Sequence, residues 1–215
     1  ATVLSGLVGN IDIPRMTAGT TGYWVAEHSA VTESSPTFDT VEMAPKTVGT
    51  YVEYSRRMII NAVPSVEQLV RNDLARMIAL AIDDKAFSGD GTGNTPTGIT
   101  NTGSINTVSF GGAPTWSKIL DFIAAVGVDN ALMGSLGWVT NPHAVKTLRS
   151  TVKVASTDSA MLMQAANSMA GYPVFQTTQI AGRPPTSPIV NSTVMYSHFS
   201  DLLIGYWSGV DILAN

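Results

Sequence analysis

Residues 65–88 carry the longest uninterrupted amphipathic pattern in the chain, and no other segment constrains the fold as strongly. Ser65 is a good N-cap residue, Pro64 precedes it, and Gln68 completes a capping box. Leu69, Val70, Leu74, Met77, Ile78, Ala81 and Ile82 recur at the three-to-four spacing of one helix face. Glu67, Arg71, Asp83, Asp84 and Lys85 occupy the other faces. At ~1.5 Å per residue such a helix is about 33 Å long. Gly89 is a natural residue to follow its end.

Upstream, Ile11-Asp12-Ile13-Pro14 alternates apolar and polar residues and closes at proline, the pattern of a strand end. Strand-like runs then flank a polar middle. Tyr23-Trp24-Val25 opens an outgoing arm, Glu33–Thr37 is a turn cluster, and Val41–Met43 and Thr50–Tyr54 mark the return. This predicts a long hairpin whose tip has little apolar content of its own. Downstream, residues 89–115 have the composition of a connection. A second helix is expected over 115–126, burying Trp116, Ile119, Leu120 and Ile123. A short buried strand, Gly137–Thr140, ends at Asn141-Pro142 and leads into a short helix with Ala144, Val145 and Leu148. Residues 150–169 read as a loop whose methionines form an adaptable contact surface. Strands are expected at 172–175, 194–196, 202–206 and 210–213. Strands and helices mix without a regular βαβ repeat, so the fold class is α+β.

The chain has 215 residues, 44% of them apolar, enough for a core. Only 13% are charged, about half the usual share, which suggests that much of the surface is covered by neighbours. The net charge of −4 and the scattered Lys and Arg residues offer no basic patch for reading nucleic acid. With no cysteine, disulfides, thiolate catalysis and zinc–thiolate sites are excluded. No apolar run reaches the ~18 residues of a membrane span. The start, from Ala1, has no signal-peptide features and reads as a cut within a longer chain.

Gly89-Asp90-Gly91-Thr92-Gly93-Asn94 could cradle a phosphate, but it follows a helix C-terminus, where the dipole repels anions. It also lacks a P-loop ending and the spacing of a calcium loop. The expected role of Gly89, Asp90, Gly91, Gly93, Pro96 and Gly98 is a helix stop followed by a tight turn. Asp83 and Asp84 diverge by ~100° on a helix and do not face one site. His28, His143 and His198 are far apart and match no metal spacing. A small hydrolase using one of them with a Ser and a carboxylate is the alternative from another class. No catalytic residue, cofactor or metal is expected.

Several segments, taken in order, resemble the HK97-like tailed-phage major capsid family. They are the entry ending in Ile13-Pro14, Tyr23–Glu27, Thr50–Arg56, the long helix, and Phe87-Ser88-Gly89-Asp90-Gly91-Thr92-Gly93-Asn94-Thr95-Pro96-Thr97-Gly98-Ile99. Val139-Thr140-Asn141-Pro142 and Gly171-Tyr172-Pro173-Val174 follow. The resemblance implies an HK97-like capsid fold with a long spine helix, an extended E-loop hairpin and an axial domain. Residues 1–22 and 51–105 would belong to the peripheral (P) domain, with the spine helix at 66–88. Residues 23–50 would be the E-loop, and 106–215 the axial (A) domain, with 151–168 near the five- and six-fold axes.

Glu27, His28, Glu33 and Phe38 would then touch a neighbouring subunit. The implied function is a shell of hexamers and pentamers enclosing DNA without reading its sequence, as part of the virion and made in the host bacterial cytoplasm. The implied partners are further copies, a scaffolding segment or protein, a prohead protease and a portal. An encapsulin-like compartment is the alternative within the fold. Residues 16–45 contain no lysine and Lys46, the first, stands at the hairpin's base, so no isopeptide crosslink of the kind some members form is expected. The family's N-terminal arm and C-terminal P-domain strands are not recognisable, which is compatible with a monomeric fragment of an assembling parent.

Overall fold

The structure is a computed structural model that describes residues 1–61, 66–154, 160–180 and 192–212. Its elements in chain order are β1 (Thr2–Ser5), β2 (Ile11–Ala18), β3 (Thr37–Met43), α1 (Arg56–Asn61) and α2 (Val66–Ser88). A 3-10 turn at Ile99–Asn101 leads to α3 (Trp116–Val128), β4 (Gly137–Thr140), α4 (Pro142–Ser150), β5 (Ser168–Met169) and β6 (Tyr172–Gln176). Then come β7 (Val194–Ser197), a 3-10 turn at Phe199–Asp201, and β8 (Leu203–Tyr206). The chain divides into two compact units, one of Ala1–Thr2, Lys46–Ile204 and Ile212–Asn215, the other of Val3–Pro45 and Gly205–Asp211.

The larger unit is built on a four-stranded sheet in the order β5-β6-β4-β7. β4 is central, parallel to β6 and antiparallel to β7. All four of its residues are buried, as expected of a strand covered on both faces. Side chains alternate across the sheet. On one face Trp138, Val174 and Tyr196 meet Ile119 of α3 and Val145 and Leu148 of α4. On the other, Val139, Met195 and Ile180 pack against Phe87 near the end of α2, Ile99 and Phe199. Trp138 has no exposed surface, and its indole N–H donates to the Met169 carbonyl at 3.1 Å. Its ring lies 4.4 Å from Tyr196 and 5.7 Å from Phe122. Burial pushes the Tyr196 phenol well above its usual pKa, so it stays protonated in this core.

Local signals set the helix starts. Thr115 caps α3 by accepting from the Lys118 N–H. Asn141 caps α4, its Oδ1 accepting from the Ala144 N–H at 2.7 Å, and Pro142 stands at the first helical position. Two buried-face expectations are corrected here. Leu120 of α3 is 43% exposed. Most of the methionine segment is core rather than contact surface, since Leu162, Met163 and Met169 are each 1% exposed while Met161 alone stays open at 40%; flexible methionine side chains fill the irregular space beside Trp138. Lys153, at the start of this stretch, lies 3.9 Å from the centre of the Trp116 ring, a cation–π contact.

α2 has the expected span and ends where glycine begins, but none of its residues is buried. Leu69 is 59% and Met77 50% exposed. Within this chain the apolar stripe is only half covered. The capping role assigned to Ser65 lies outside the described residues. Gln68 donates instead to Asn72 Oδ1 at 3.0 Å.

The smaller unit is the antiparallel hairpin β2–β3, in register from Ile11 opposite Met43 to Met16 opposite Phe38. Around it, the Leu7 N–H donates to the Tyr206 carbonyl and the Trp207 indole to the Gly9 carbonyl at 2.6 Å. Gly205 is packed so closely that a Cβ would lie 2.9 Å from Leu7 and 3.0 Å from Met43. The hairpin expected over 23–50 is therefore displaced. Its outgoing strand is Ile11–Ala18, Tyr23-Trp24-Val25 is not a strand, and neither is Thr50–Tyr54. Pro14 does not end the strand but sits inside it, opposite Thr40. A two-stranded ribbon leaves one edge of each strand unpaired, and proline is tolerated on such edge strands. Residues 56–61 form α1, a helix the sequence pattern does not predict, and 210–212, expected as a strand, are not one.

Candidate assembly site

No residue of the hairpin or its loop is buried, so this segment has no core of its own. Its arms are tied by an exposed Arg15–Asp39 ion pair at 3.3 Å and by the Thr17 and Thr37 hydroxyls at 2.9 Å. The register slips between Met16 and Ala18, a bulge-like irregularity that increases local twist. Beyond it the loop is closed at its base by Ser34. The Thr21 N–H donates to the Ser34 hydroxyl at 3.1 Å, and that hydroxyl donates to the Thr21 carbonyl at 3.2 Å.

The four residues singled out as neighbour contacts all project from this unit. Glu27 and His28 stand together in the tip turn, where the Ser29 N–H donates to the Ala26 carbonyl. His28 occupies the left-handed region with φ 67°, and its Nε2 is 4.0 Å from Glu27 in full solvent. Glu33 is exposed beside the Ser34 clasp. Phe38 stands apart on β3, 67% exposed, opposite Met16 at 61%. Sequence reasoning missed Trp24, whose relative exposure is 105%. Its aromatic, β-branched neighbourhood read as a strand; the available signal was the flanking run of Gly and Thr on one side and Glu-His-Ser on the other.

The glycine segment after α2 is a closed loop whose polar groups bond among themselves. The Gly89 N–H continues the helix to the Lys85 carbonyl at 2.9 Å, and the Gly98 N–H returns to the Gly89 carbonyl at 2.9 Å. Asn101 Nδ2 donates to the carbonyls of Ser88 and Gly89, at 3.1 and 2.8 Å, so an acceptor at the helix end is satisfied and the Gly89 carbonyl gains a second donor. A Cβ at Gly89 would land on the Pro96 carbonyl, and one at Gly98 would lie 2.6 Å from the Gly89 nitrogen. Gly91 and Gly93 have φ of 71° and 55°, which glycine alone adopts freely.

Asp90 organises the turn. Its carboxylate accepts from the Thr92 and Thr95 hydroxyls, each at 2.7 Å, and from the Thr92 N–H at 3.1 Å. The hydroxyls first, then the N–H, lower its pKa from 3.8 to about 2. Lys46 Nζ, the amine of the chain's first lysine, donates to the Gly93 carbonyl at 2.8 Å.

The hydrolase alternative needs a histidine within reach of both a serine and a carboxylate. His198 Nδ1 is 3.2 Å from Asp201, while its ring is packed over Gly134, where a Cβ would lie 2.6 Å from Nε2. His143 lies on α4 and lines the same broad open cleft. Among the described residues no hydrogen bond joins a histidine side chain to a serine, and no group of three or more acids and histidines could hold a metal ion. No described helix is long and apolar enough to cross a membrane.

An α+β unit with a long, half-covered helix, joined in sequence to a coreless exposed hairpin, is consistent with the HK97-like capsid fold. The capsid protein of a native GTA particle, solved with C5 symmetry, superimposes with a TM-score of 0.67 over 84% of this chain and 66% of its own, at 19% identity. The Gordonia phage Cozz chain gives a TM-score of 0.52 over 83% of this chain and 61% of its own, at 17% identity. The phage capsid family model matches residues 1–215, and the chain belongs to that family.

Two curated relatives are major capsid proteins. That of Halomonas phage phiHAP-1 is 27% identical over 212 residues, covering 99% of this chain and 33% of its own length. That of Klebsiella oxytoca phage phiKO2 is 27% identical over 216 residues, covering 92% of this chain and 47% of its own. The chain therefore spans between a third and a half of these relatives. The family is structural rather than enzymatic.

Proposed function

We propose that this chain is the shell-forming part of a phage major capsid protein, whose copies assemble as hexamers and pentamers into an icosahedral shell around phage DNA. The observation that carries this reading is the family match along the whole chain. The exposed hairpin supports it, because a segment without a core gains its order from a partner. Heterologous contacts that repeat around closed rotational axes give rings and then a shell. Interfaces of such assemblies bury on the order of 2,000 Å² or more. The net charge of −4 suits a lining that confines DNA without trapping it.

In this reading α2 is the spine of the peripheral domain, Ile11–Met43 is the E-loop, and residues from about 106 onward form the axial domain. Glu27, His28, Glu33 and Phe38 face a neighbouring copy. A scaffolding segment or protein, a prohead protease and a portal are the expected partners, with assembly in the host bacterial cytoplasm. No isopeptide weld is expected, because the hairpin has no lysine. Sedimentation of the full-length protein tests the reading. Particles of tens to hundreds of copies support it, and dissociation to single chains on boiling in detergent supports the absence of a weld. A species that stays monomeric across concentration and salt, with scaffold and protease supplied, overturns it.

A further inference from the structure

Asp90-Gly91 is the only step in residues 1–215 at which an Asp or Asn precedes glycine. A chain closes on itself most readily at such a step. The glycine nitrogen attacks the aspartate carboxyl carbon, a new C–N bond forms, and the amide proton and the carboxyl hydroxyl leave as water. The product is a five-membered succinimide ring. Water then opens the ring at either carbonyl, which restores aspartate or gives isoaspartate, whose main chain runs through the former side chain. Glycine favours the closure because, without a Cβ, its backbone turns freely.

The closure needs a free amide nitrogen, a carboxyl in its neutral form, and a backbone rotation that brings the two together. The folded loop opposes all three. The Gly91 N–H donates to the Pro96 carbonyl at 3.3 Å, beside an antiparallel bridge between Asp90 and Thr97. Both carboxylate oxygens of Asp90 are engaged, Oδ1 by the Thr92 N–H and the Thr95 hydroxyl, and Oδ2 by the Thr92 hydroxyl. These donors favour the charged form. A pKa of about 2 in place of 3.8 leaves ~60-fold less neutral acid at any pH above both. Rotation is checked by the Gly98 N–H on the Gly89 carbonyl at 2.9 Å and by Lys46 on the Gly93 carbonyl at 2.8 Å. Asp90 and Gly91 are both exposed, so these bonds, and not burial, hold the reaction back.

We propose that Asp90-Gly91 is a site of succinimide and isoaspartate formation, kept closed in the folded loop by the Thr92 and Thr95 hydroxyls and released when the loop opens. Isoaspartate adds one main-chain atom and moves Gly91 out of register with Pro96. The loop has no space to absorb that atom, since a Cβ at Gly98 would already lie 2.6 Å from the Gly89 nitrogen. A copy that has opened at the foot of α2 is thereby marked. This goes beyond the shell reading and stands without it.

The test uses the full-length protein, held folded or in urea at about pH 5, where an ordinary aspartate retains some neutral acid. Trypsin releases residues 86–118, in which Asp90 is the sole aspartate. Isoaspartate of unchanged mass in that peptide therefore reports Asp90, whereas deamidation of an asparagine changes the mass. The expected result is isoaspartate forming roughly ten-fold or more slowly in the folded protein than in urea. Replacing both hydroxyls, Thr92→Ala with Thr95→Ala, should bring the folded rate to within about three-fold of the urea rate, while Thr95→Ser stays slow. Thermal unfolding of each variant separates an opened loop from an unfolded chain. Gly91→Ala in urea, where folding plays no part, should slow the reaction severalfold. Equal rates in folded and urea-unfolded protein overturn the proposal, as does the absence of isoaspartate in urea. A folded double variant as slow as the unmodified protein overturns the part given to the hydroxyls.

Discussion

At the residue scale, the positions that carry most are those where a single added atom meets fixed backbone. Gly98 is buried, with the Gly89 nitrogen, the Lys85 carbonyl and the Phe87 carbonyl carbon all within 2.8 Å of where a Cβ would stand. Gly98→Ala should therefore destabilise the unit by about 1–3 kcal/mol, the usual cost of overpacking, seen as a lower urea midpoint. Gly93→Ala meets no atom within 4 Å and should cost only the ~1 kcal/mol of a left-handed backbone. Asp90 gives a pH signature. Its folded pKa of about 2 lies below the ordinary value of 3.8, so the loop's stabilisation is complete above about pH 4 and is lost as pH falls through 2. An NMR titration should place the Asp90 carboxyl midpoint near 2, and Thr95→Ala should raise it. A midpoint near 3.8 in the unmodified chain would show that the hydroxyls do not hold the carboxylate.

At the element scale, burial separates helices that the sequence pattern alone makes look alike. Leu148 of α4 is 2% exposed and Leu69 of α2 is 59% exposed. Leu148→Ala should cost about 2–5 kcal/mol, while Leu69→Asn should stay within about 0.5 kcal/mol, both measured by thermal or urea unfolding. Equal losses would mean that α2 is packed in solution after all. The span of α2, the starts of α3 and α4 and the buried Gly137–Thr140 strand are legible in the sequence, because each rests on local chemistry: periodicity, an Asn-Pro start, a continuous buried run. The hairpin lies elsewhere than its pattern predicts because its strongest strand-like residues, Tyr23-Trp24-Val25, are exposed in the loop. Strand propensity does not distinguish a residue that joins a sheet from one that stays exposed in a loop. The methionines at 163 and 169 defeat the pattern for a related reason. Polar neighbours in sequence say little about which side chains turn inward in an irregular segment.

At the scale of the whole molecule, the two units differ in how they hold themselves. The larger has a sheet covered on both faces, and the smaller has no buried residue among Val3–Pro45. Low charge, a half-covered helix and a clasped loop presenting tryptophan are the features that the proposed function joins, as those of a subunit completed by its neighbours. Negative-stain electron microscopy of the full-length protein is the most direct measurement. Shell assembly predicts uniform closed particles or capsomer rings from the unmodified protein. Dispersed single subunits under all assembly conditions, scaffold and protease included, would contradict it.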